Sequence, residues 1–256
     1  MTSPRGSLTR RRLIVGGAAT AAGAAGLTLA TSLANRHGLV PPFDHSPYSV
    51  GETLTYAAQR LLMARHPLAR EFSASEISTV APVKGKPPQT DPYLHLAATG
   101  FADWRFGIGG LVAYPRLFSM PELKRMPMRS QITLHACEEG WSYIAQWSGI
   151  SLAYLLNLAG VSAKAKYVVF YCYDGWWGSI DMEDAWHPQT LLALTMNGED
   201  ISVGHGAPLR LRVARQMGYK SFKYLSHMDV VEDLKSIGNG LADFSVGRRY
   251  AWYAGI

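Results

Sequence analysis

Cysteine is scarce in this sequence, whose 256 residues include only Cys137 and Cys172. Two thiols allow at most one intramolecular disulfide, and their spacing is not the CxxC pair typical of structural zinc and thioredoxin-like sites. The CxxCH motif that attaches c-type haem is also missing from the sequence. These absences exclude a disulfide-stabilised scaffold and a chain that carries its own c-type haem.

Charged residues make up only 17% of the sequence, and hydrophobic residues make up 48%. This composition and length allow one large domain with a sizeable core. The formal net charge is +6, but several basic residues cluster near the N-terminus and the others are dispersed among apolar residues. Dispersed basic residues are typical of a solvated surface, so we expect no nucleic-acid partner.

Charge is missing altogether from residues 13–34, which are rich in Gly, Ala, Leu and Thr and follow Arg10, Arg11 and Arg12. A basic segment before a weakly hydrophobic one resembles the twin-arginine export signal. The length would also span a bilayer, although Gly and Ala offer little apolar area for burial. We therefore expect residues 1–34 to direct export to the periplasm, either as a cleaved signal or as a retained anchor.

The rest of the chain divides into an extension over residues 35–98 and a main domain over residues 99–256. In the extension we expect a linker and one helix, which begins at Thr53 and stops at His66-Pro67. Four prolines within residues 81–92 predict an irregular loop. Short runs rich in Val, Ile, Tyr and Leu then predict strands over residues 104–112, 131–136, 166–173, 191–196, 209–213 and 224–231.

Two local signals refine this prediction. Asn197-Gly198 is typical of a hairpin turn and would join 191–196 to a strand at 201–203. Residues 152–159 carry Leu and Ala at helical spacing and end at Gly160, a residue that favours the left-handed position after a helix. The sequence therefore predicts an α+β class, a β-rich fold with few helices.

Cys137 follows directly after the predicted strand 131–136, and the residues alone leave its role open. It could be a buried structural cysteine, a partner of Cys172 in a disulfide, or a nucleophile that uses His205 as a base. A zinc site would need other ligands of suitable type, namely His135, Cys172, His187 and His205. The last alternative is a thiolate ligand to a redox metal.

Two ordered stretches resemble a known family. Cys137-Glu138-Glu139-Gly140-Trp141-Ser142, followed by residues 147–156, resembles the molybdenum-binding segment of the sulfite oxidase superfamily of molybdopterin-dependent oxidoreductases. Residues 187–193, 196–198, 205–210 and 218–223 resemble its pterin-binding half. The resemblance covers about residues 100–235 and is closest to the exported branch that includes protein-methionine-sulfoxide reductases. It implies a β-rich sulfite-oxidase-type fold and a molybdenum-molybdopterin cofactor.

The resemblance also assigns roles. It implies that Cys137 ligates molybdenum as the catalytic residue and that Arg210 and Lys223 contact the pterin or its phosphate, which cations suit. His205 stands where the reductases have asparagine and many sulfite oxidases have histidine. The remaining implied cofactor contacts are Cys172, which replaces a threonine of the reductases, Ser221 and Phe222. Asp174, Trp176 and Trp177 are candidates for a substrate entrance, and Trp141 for a pocket wall.

The family's sulfite oxidases follow the metal-binding cysteine with a basic pair, whereas Glu138 and Glu139 stand here. Two acids should repel sulfite, which favours reduction of a neutral small-molecule or protein-bound sulfoxide, or an N-oxide. A membrane haem or quinone-linked partner would donate the electrons. We further expect a monomer, because no extra C-terminal β-domain is evident. Sulfite dehydrogenation and a non-enzymatic exported binding protein remain the alternatives.

Overall fold

The chain divides into two compact units after Leu62, and each is described by itself. The computed structural model describes residues 39–42, 49–62 and 68–256. In the first unit, helix α1 spans Ser49–Leu62 and so begins four residues before the predicted Thr53. Glu52 in its first turn and Arg60 in its last turn complement the helix dipole. The predicted stop at His66-Pro67 and the predicted signal over residues 1–34 lie outside the described residues.

The second unit is built from short strands and five short helices among its described residues. The helices are α2 (Asp91–Ala98), α3 (Met120–Lys124), α4 (Leu152–Ala159), α5 (Met182–Trp186) and α6 (Phe244–Gly247). The strands are β1 (Arg105–Gly110), β2 (Arg116–Ser119), β3 (Met128–Ala136), β4 (Ser142–Ser151), β5 (Tyr167–Cys172), β6 (Trp177–Asp181), β7 (Thr190–Met196), β8 (Glu199–Asp200), β9 (Arg210–Val213) and β10 (Leu225–Val231). No helix in the described ranges is both long and apolar enough to cross a membrane. The β-rich α+β prediction is confirmed.

The strands form two sheets. Sheet 1 has the order β2-β1-β10-β5-β6, and sheet 2 has the order β3-β4-β7-β8, with β9 also paired to β7. Among the strands of the described residues, β1 and β10 pair in parallel, and the other pairs are antiparallel. Residues before α2 already join this unit, because Phe72 N–H donates to Ile132 O and Glu71 bridges to Thr133. These contacts attach residues 71–72 to β3, and α2 also falls within residues 35–98 of the sequence.

Strand β7 separates two apolar layers. Leu192 and Leu194 belong to the larger cluster, which lies between the sheets and includes Phe106, Ile150, Leu156, Phe170 and Met228. Leu191 and Ala193 belong to a smaller cluster with Tyr143 and Trp147 on the opposite face of sheet 2. Because both faces of β7 are covered, its sequence is an almost continuous apolar run. The smaller cluster is the one that supports the site described below.

Strand β4 leads directly into α4 and contains a close backbone approach. Tyr143, Ala145 and Trp147 alternate inward along it, and the register with β7 shifts between Ser148 and Gly149. A Cβ atom at Gly149 would lie 2.1 Å from Leu192 O, so only glycine fits this bulge. Helix α4 has the predicted bounds and ends at left-handed Gly160. The turn at Asn197-Gly198 is also confirmed, but its second strand is β8 at residues 199–200 rather than 201–203.

Candidate functional site

A cavity of about 270 Å³ opens in the second unit. Six of the seven residues that the sequence predicts to hold a cofactor line it: Cys137, His205, Arg210, Ser221, Phe222 and Lys223. Cys172 is not among its lining residues. That residue ends β5, and burial raises the pKa of its thiol well above the ordinary value. The structure thus brings together residues from β9, from the loops after β3 and β9, and from the loop after β8.

Cys137 lies in a tight turn directly after β3. Its N–H donates to Trp141 O at 2.8 Å, and Gly140 N–H donates to Cys137 O at 3.1 Å. The residue is only 5% exposed, and its Sγ lies 3.3 Å from Glu138 Oε2. Burial, with help from Glu138, raises the pKa of the thiol, so a positively charged ligand would be needed to hold it as a thiolate.

This arrangement does not support two of the roles considered for Cys137, namely a zinc ligand and a disulfide partner of Cys172. Cys137 and Cys172 are both free thiols. In the described ranges, no three His, Cys, Asp or Glu side chains approach closely enough to hold a metal ion. The zinc site considered from the sequence is therefore not assembled by His135, His187 and His205 with the cysteines.

Glu138 faces the cavity, but its charge is compensated. Lys84 forms an ion pair with Glu138 and lies 3.5 Å from Glu139 Oε1. Burial acts to raise the pKa of Glu138, yet the hydrogen bond and charge of Lys84 lower it overall. Glu139 is exposed and does not line the cavity. The acidic pair therefore presents little net negative charge to a ligand, which weakens the electrostatic argument against sulfite.

Strand β9 buries two arginines on one face. Arg210 lies over the Trp147 ring, with its guanidinium carbon 4.9 Å from the centroid, and donates to His205 O at 2.8 Å and Ser221 O at 3.1 Å. Arg212 donates to Thr133 Oγ1 at 3.2 Å and to Leu134 O. Burial and the neighbouring Arg210 lower the pKa of Arg212 to about 9.

These two cations lack acidic partners. Among the described residues, no carboxylate lies within 4.0 Å of either guanidinium. The Nε atom of Arg210 is also buried without a hydrogen-bond partner. Buried charge without compensation is costly to a protein. Because Arg210 lines the cavity, its buried charge indicates a site for an anion there.

Lys223 and His205 add to this positive environment. Lys223 Nζ donates to Lys84 O at 2.7 Å and to Gly204 O at 3.1 Å, while burial and Arg210 lower its pKa to about 8. His205 Nδ1 lies 3.0 Å from Ser202 Oγ, and burial and Arg210 lower its pKa too. A Cβ at Gly206 would approach Lys223 Cβ to 2.8 Å, so glycine permits Lys223 to sit here.

Ser221 and Phe222 shape the cavity mainly through the backbone and packing. Ser221 Oγ accepts from Val213 N–H at 3.2 Å, and its carbonyl accepts from Arg210. Phe222 O accepts from Leu211 N–H at 2.8 Å, and the Phe222 ring packs 5.8 Å from Phe170. These bonds attach the segment after β9 to the strand that carries the arginines.

Several lining residues were not assigned from the sequence. They are the loop at residues 82–86, Tyr143, Gly204, Gly218, Tyr219 and Arg248. Proline content predicted the loop at 82–86 but not its position over the cavity. Of the entrance candidates, Asp174 and Trp176 line the cavity, whereas Trp177 and the wall candidate Trp141 do not.

Lys223→Met should stabilise the protein prepared without cofactor at pH 7. Because the folded pKa of about 8 lies below the ordinary 10.4, the unfolded chain binds more protons between these values, and wild-type stability should rise with pH across that window. Below pH 8 the full cost of the buried charge remains, so we expect a gain of roughly 1–3 kcal/mol on its removal. Urea unfolding at pH 7 and 9.5 measures this difference.

The matched control is Lys164→Met, which removes an exposed lysine and should alter stability by less than about 0.5 kcal/mol. An equal stability difference between wild type and Lys223→Met at the two pH values would contradict the burial of a charged Lys223. A less stable Lys223→Met at pH 7 would show that its two hydrogen bonds to carbonyls outweigh the cost of burial.

Comparison with known proteins identifies the family of this chain. The profile of the family described as "Oxidoreductase molybdopterin binding domain" matches residues 94–236, more than half of the chain. The chain belongs to this family. Residues 94–236 therefore form an oxidoreductase molybdopterin-binding domain, and the cofactor of that family is molybdenum-molybdopterin.

Individual relatives are similar over part of their length. A putative protein-methionine-sulfoxide reductase subunit YedZ1 from Azospira oryzae is 40% identical over 129 residues, which cover 50% of this chain and 49% of that protein. The protein-methionine-sulfoxide reductase catalytic subunit MsrP is 29% identical in Campylobacter jejuni, covering 60% of this chain and 57% of that protein. In Xanthomonas axonopodis pv. citri MsrP is 31% identical, covering 57% and 50%. The chain thus spans about half the length of these curated relatives.

The fold has a solved counterpart in the sulfane dehydrogenase SoxCD from Paracoccus pantotrophus, with a TM-score of 0.50 and 25% identity. The match covers 53% of this chain and 40% of that chain. This agrees with the sulfite-oxidase-type fold expected from the sequence.

The residues of the cavity fit the family's cofactor. A pterin phosphate needs cations, and the buried Arg210 offers an unpaired Nε without a competing carboxylate. A soft redox metal needs a sulfur ligand, and Cys137 places a free thiol on the same cavity.

Proposed function

We propose that the chain is the catalytic subunit of an exported molybdopterin-dependent oxidoreductase that reduces S-oxides or N-oxides. The observation that carries the proposal is the placement of the free Cys137 thiol and the carboxylate-free cations Arg210 and Lys223 on one cavity. The names of the relatives, which are sulfoxide reductase subunits, support the sulfoxide as substrate class.

In this proposal Cys137 is the protein ligand of molybdenum. Arg210 and Lys223 bind the anionic part of the pterin, His205 and Ser221 supply polar contacts, and Phe222 contributes its backbone. Cys172 would act only at a distance, through the packing of β5. When bound, the cofactor supplies two-electron oxygen-atom transfer chemistry. Conversion of a sulfoxide to a sulfide and water consumes two electrons and two protons.

The residues around Cys137 keep bulk water away from the reacting position. The thiol is nearly buried, and the loop at residues 82–86 lies at the cavity, attached on one side by the Lys84–Glu138 pair and on the other by the bond from Lys223 to Lys84 O. Exclusion of water strengthens the electrostatic contacts inside a site. Lys84 therefore positions a wall of the cavity.

The proposal also includes the electron donor and the location of the protein. The sequence holds no CxxCH motif, so a membrane haem or quinone-linked partner would deliver the electrons. The arginines before the uncharged residues 13–34 support export by the twin-arginine route to the periplasm. We propose a monomer with the division inferred from the sequence, namely residues 1–34, 35–98 and 99–256.

Sulfite dehydrogenation is the second candidate function, and the positive charge of the cavity supports it. Lys84, Lys86, Arg210, Lys223 and Arg248 line the cavity, against the acids Glu138 and Asp174. Such a surface suits an oxyanion. The two reactions run in opposite redox directions, so one preparation can distinguish them.

The test is elemental mass spectrometry followed by two assays on full-length protein from a host that makes the cofactor. We expect a stoichiometry near one molybdenum per chain, and oxidation of reduced benzyl viologen by methyl p-tolyl sulfoxide. Reduction of cytochrome c by sulfite, without sulfoxide turnover, would select the second candidate. Folded protein without molybdenum would overturn both and favour a non-enzymatic binding protein.

A further inference from the structure

The cavity is completed by a segment outside the residues that match the family. The match ends at residue 236, whereas Arg248 follows α6 and lines the cavity. Arg248 N–H donates to Ser245 O at 2.9 Å, which continues the last turn of the helix. This cation therefore comes from a segment beyond the matched domain.

Buried hydrogen bonds attach the segment that carries Arg248 to the rest of the second unit. Asp243 is fully buried and accepts from Lys220 Nζ at 2.7 Å and from Ser179 N–H at 3.1 Å. Trp252 Nε1 donates to Ser179 Oγ at 2.8 Å. Because residues on both sides of Arg248 are anchored to β6 and to the turn after β9, the backbone at Arg248 has a fixed position relative to the cavity.

The guanidinium of Arg248 has aromatic neighbours but no acidic partner. Its central carbon lies 4.9 Å from the Phe244 ring centroid and 5.7 Å from that of Trp176. Across the described residues no carboxylate approaches it within 4.0 Å. Aromatic faces orient a guanidinium while leaving its N–H edge free, so Arg248 retains donors for a ligand.

Of the other cations of the cavity, all except Lys86 already have a partner or a proposed role. Arg210 and Lys223 are buried and suited to the cofactor, and Lys84 is paired with Glu138. Lys86 is exposed, lines the same cavity, and has no ion pair among the described residues. Arg248 and Lys86 are thus the two exposed cations of the cavity that remain for something entering from solvent.

We propose that Arg248, assisted by Lys86, forms a subsite for a carboxylate carried by the sulfoxide substrate. The inference rests on the proposed function and narrows its substrate class to anionic sulfoxides, such as methionine sulfoxide with a free or neighbouring carboxylate. Arg248 determines specificity through a charge-assisted hydrogen bond. The carboxylate would thereby be held at the entrance while the sulfoxide reaches toward Cys137.

The test compares two substrates that differ only in charge, N-acetylmethionine sulfoxide and its carboxamide. In wild-type enzyme we expect kcat/KM for the acid to exceed that for the amide by about five- to tenfold at low salt. Arg248→Gln should reduce this ratio to below about twofold, mainly by raising KM for the acid. High salt should also lower the wild-type ratio, because the entrance is exposed.

Arg249→Gln is the matched control, since this neighbouring exposed arginine does not line the cavity and should leave the ratio at its wild-type value. Equal use of acid and amide by the wild type would overturn the subsite and leave the proposed function standing. No turnover of either sulfoxide would overturn both. Loss of molybdenum from Arg248→Gln would assign Arg248 to the cofactor and also overturn the subsite.

Discussion

Cys137→Ala should lower sulfoxide turnover by roughly a thousandfold or more, because only residual catalysis remains when a side chain that the reaction requires is removed. The expected cause is local. The thiol is the free sulfur on the cavity that also holds Arg210 and Lys223. The cations remain in the variant, so retained pterin with altered or lost molybdenum would be the accompanying result, measured by elemental mass spectrometry and by fluorescence of the released pterin.

Cys172→Ala provides the comparison, because it removes the other free thiol of the chain from a position that does not line the cavity. We expect a loss of less than about tenfold, in line with a packing change near the core. If the two variants lost activity equally, the assignment of the metal to Cys137 would fail. A fully active Cys137→Ala would likewise remove the thiolate from the mechanism.

Asp243→Ala should destabilise the protein by roughly 3–5 kcal/mol, because it leaves a buried lysine without its counter-charge. Lys220 is 1% exposed and donates to Asp243 Oδ2 at 2.7 Å. Asp243 also accepts from Ser179 N–H and Ser245 N–H, so the variant leaves several donors unsatisfied. Chemical unfolding followed by circular dichroism gives the change in free energy.

The surface pair Lys124–Asp200 is the matched control. Its nitrogen and oxygen atoms lie 2.8 Å apart, but Asp200 is 71% exposed. Asp200→Ala should therefore cost no more than about 1 kcal/mol. Similar losses for the two aspartates would show that burial of the Lys220–Asp243 pair does not govern its contribution. Asp243→Asn should fall between the two, since it keeps an acceptor and removes the charge.

Local chemistry explains which parts of the fold could be predicted. Gly160 and the apolar spacing before it fixed the bounds of α4, and Asn197-Gly198 fixed the turn after β7, because both signals depend on neighbouring residues only. Strand β4 was missed as a strand, although Tyr143, Ala145 and Trp147 alternate along it. The shift at Gly149 breaks the alternation, and this shift arises from contact with Leu192, which no local pattern records.

The candidate site shows the same difference between features that the sequence reveals and features that depend on long-range contacts. Cys137, Arg210 and Lys223 were identified through an ordered resemblance, and the structure places them on one cavity. Arg248 could not be found this way, because it lies outside the matched residues and reaches the cavity through Asp243 and its buried partners. Lys84 was missed for a similar reason. Lys84 compensates the charge of Glu138 through a contact between residues 54 positions apart, which offsets part of the negative charge expected from the sequence.

The chain segments that line the cavity lie far apart in sequence, from Pro82 to Arg248. A cofactor bound by Cys137, Arg210 and Lys223 would act as a reversible cross-link between the turn after β3 and the segment after β9, since it binds the folded state and not the unfolded one. Detachment of either segment would then require release of the cofactor. The loaded protein should accordingly resist proteases and mechanical extension between these two segments, and cofactor loading would report that this part of the chain is folded.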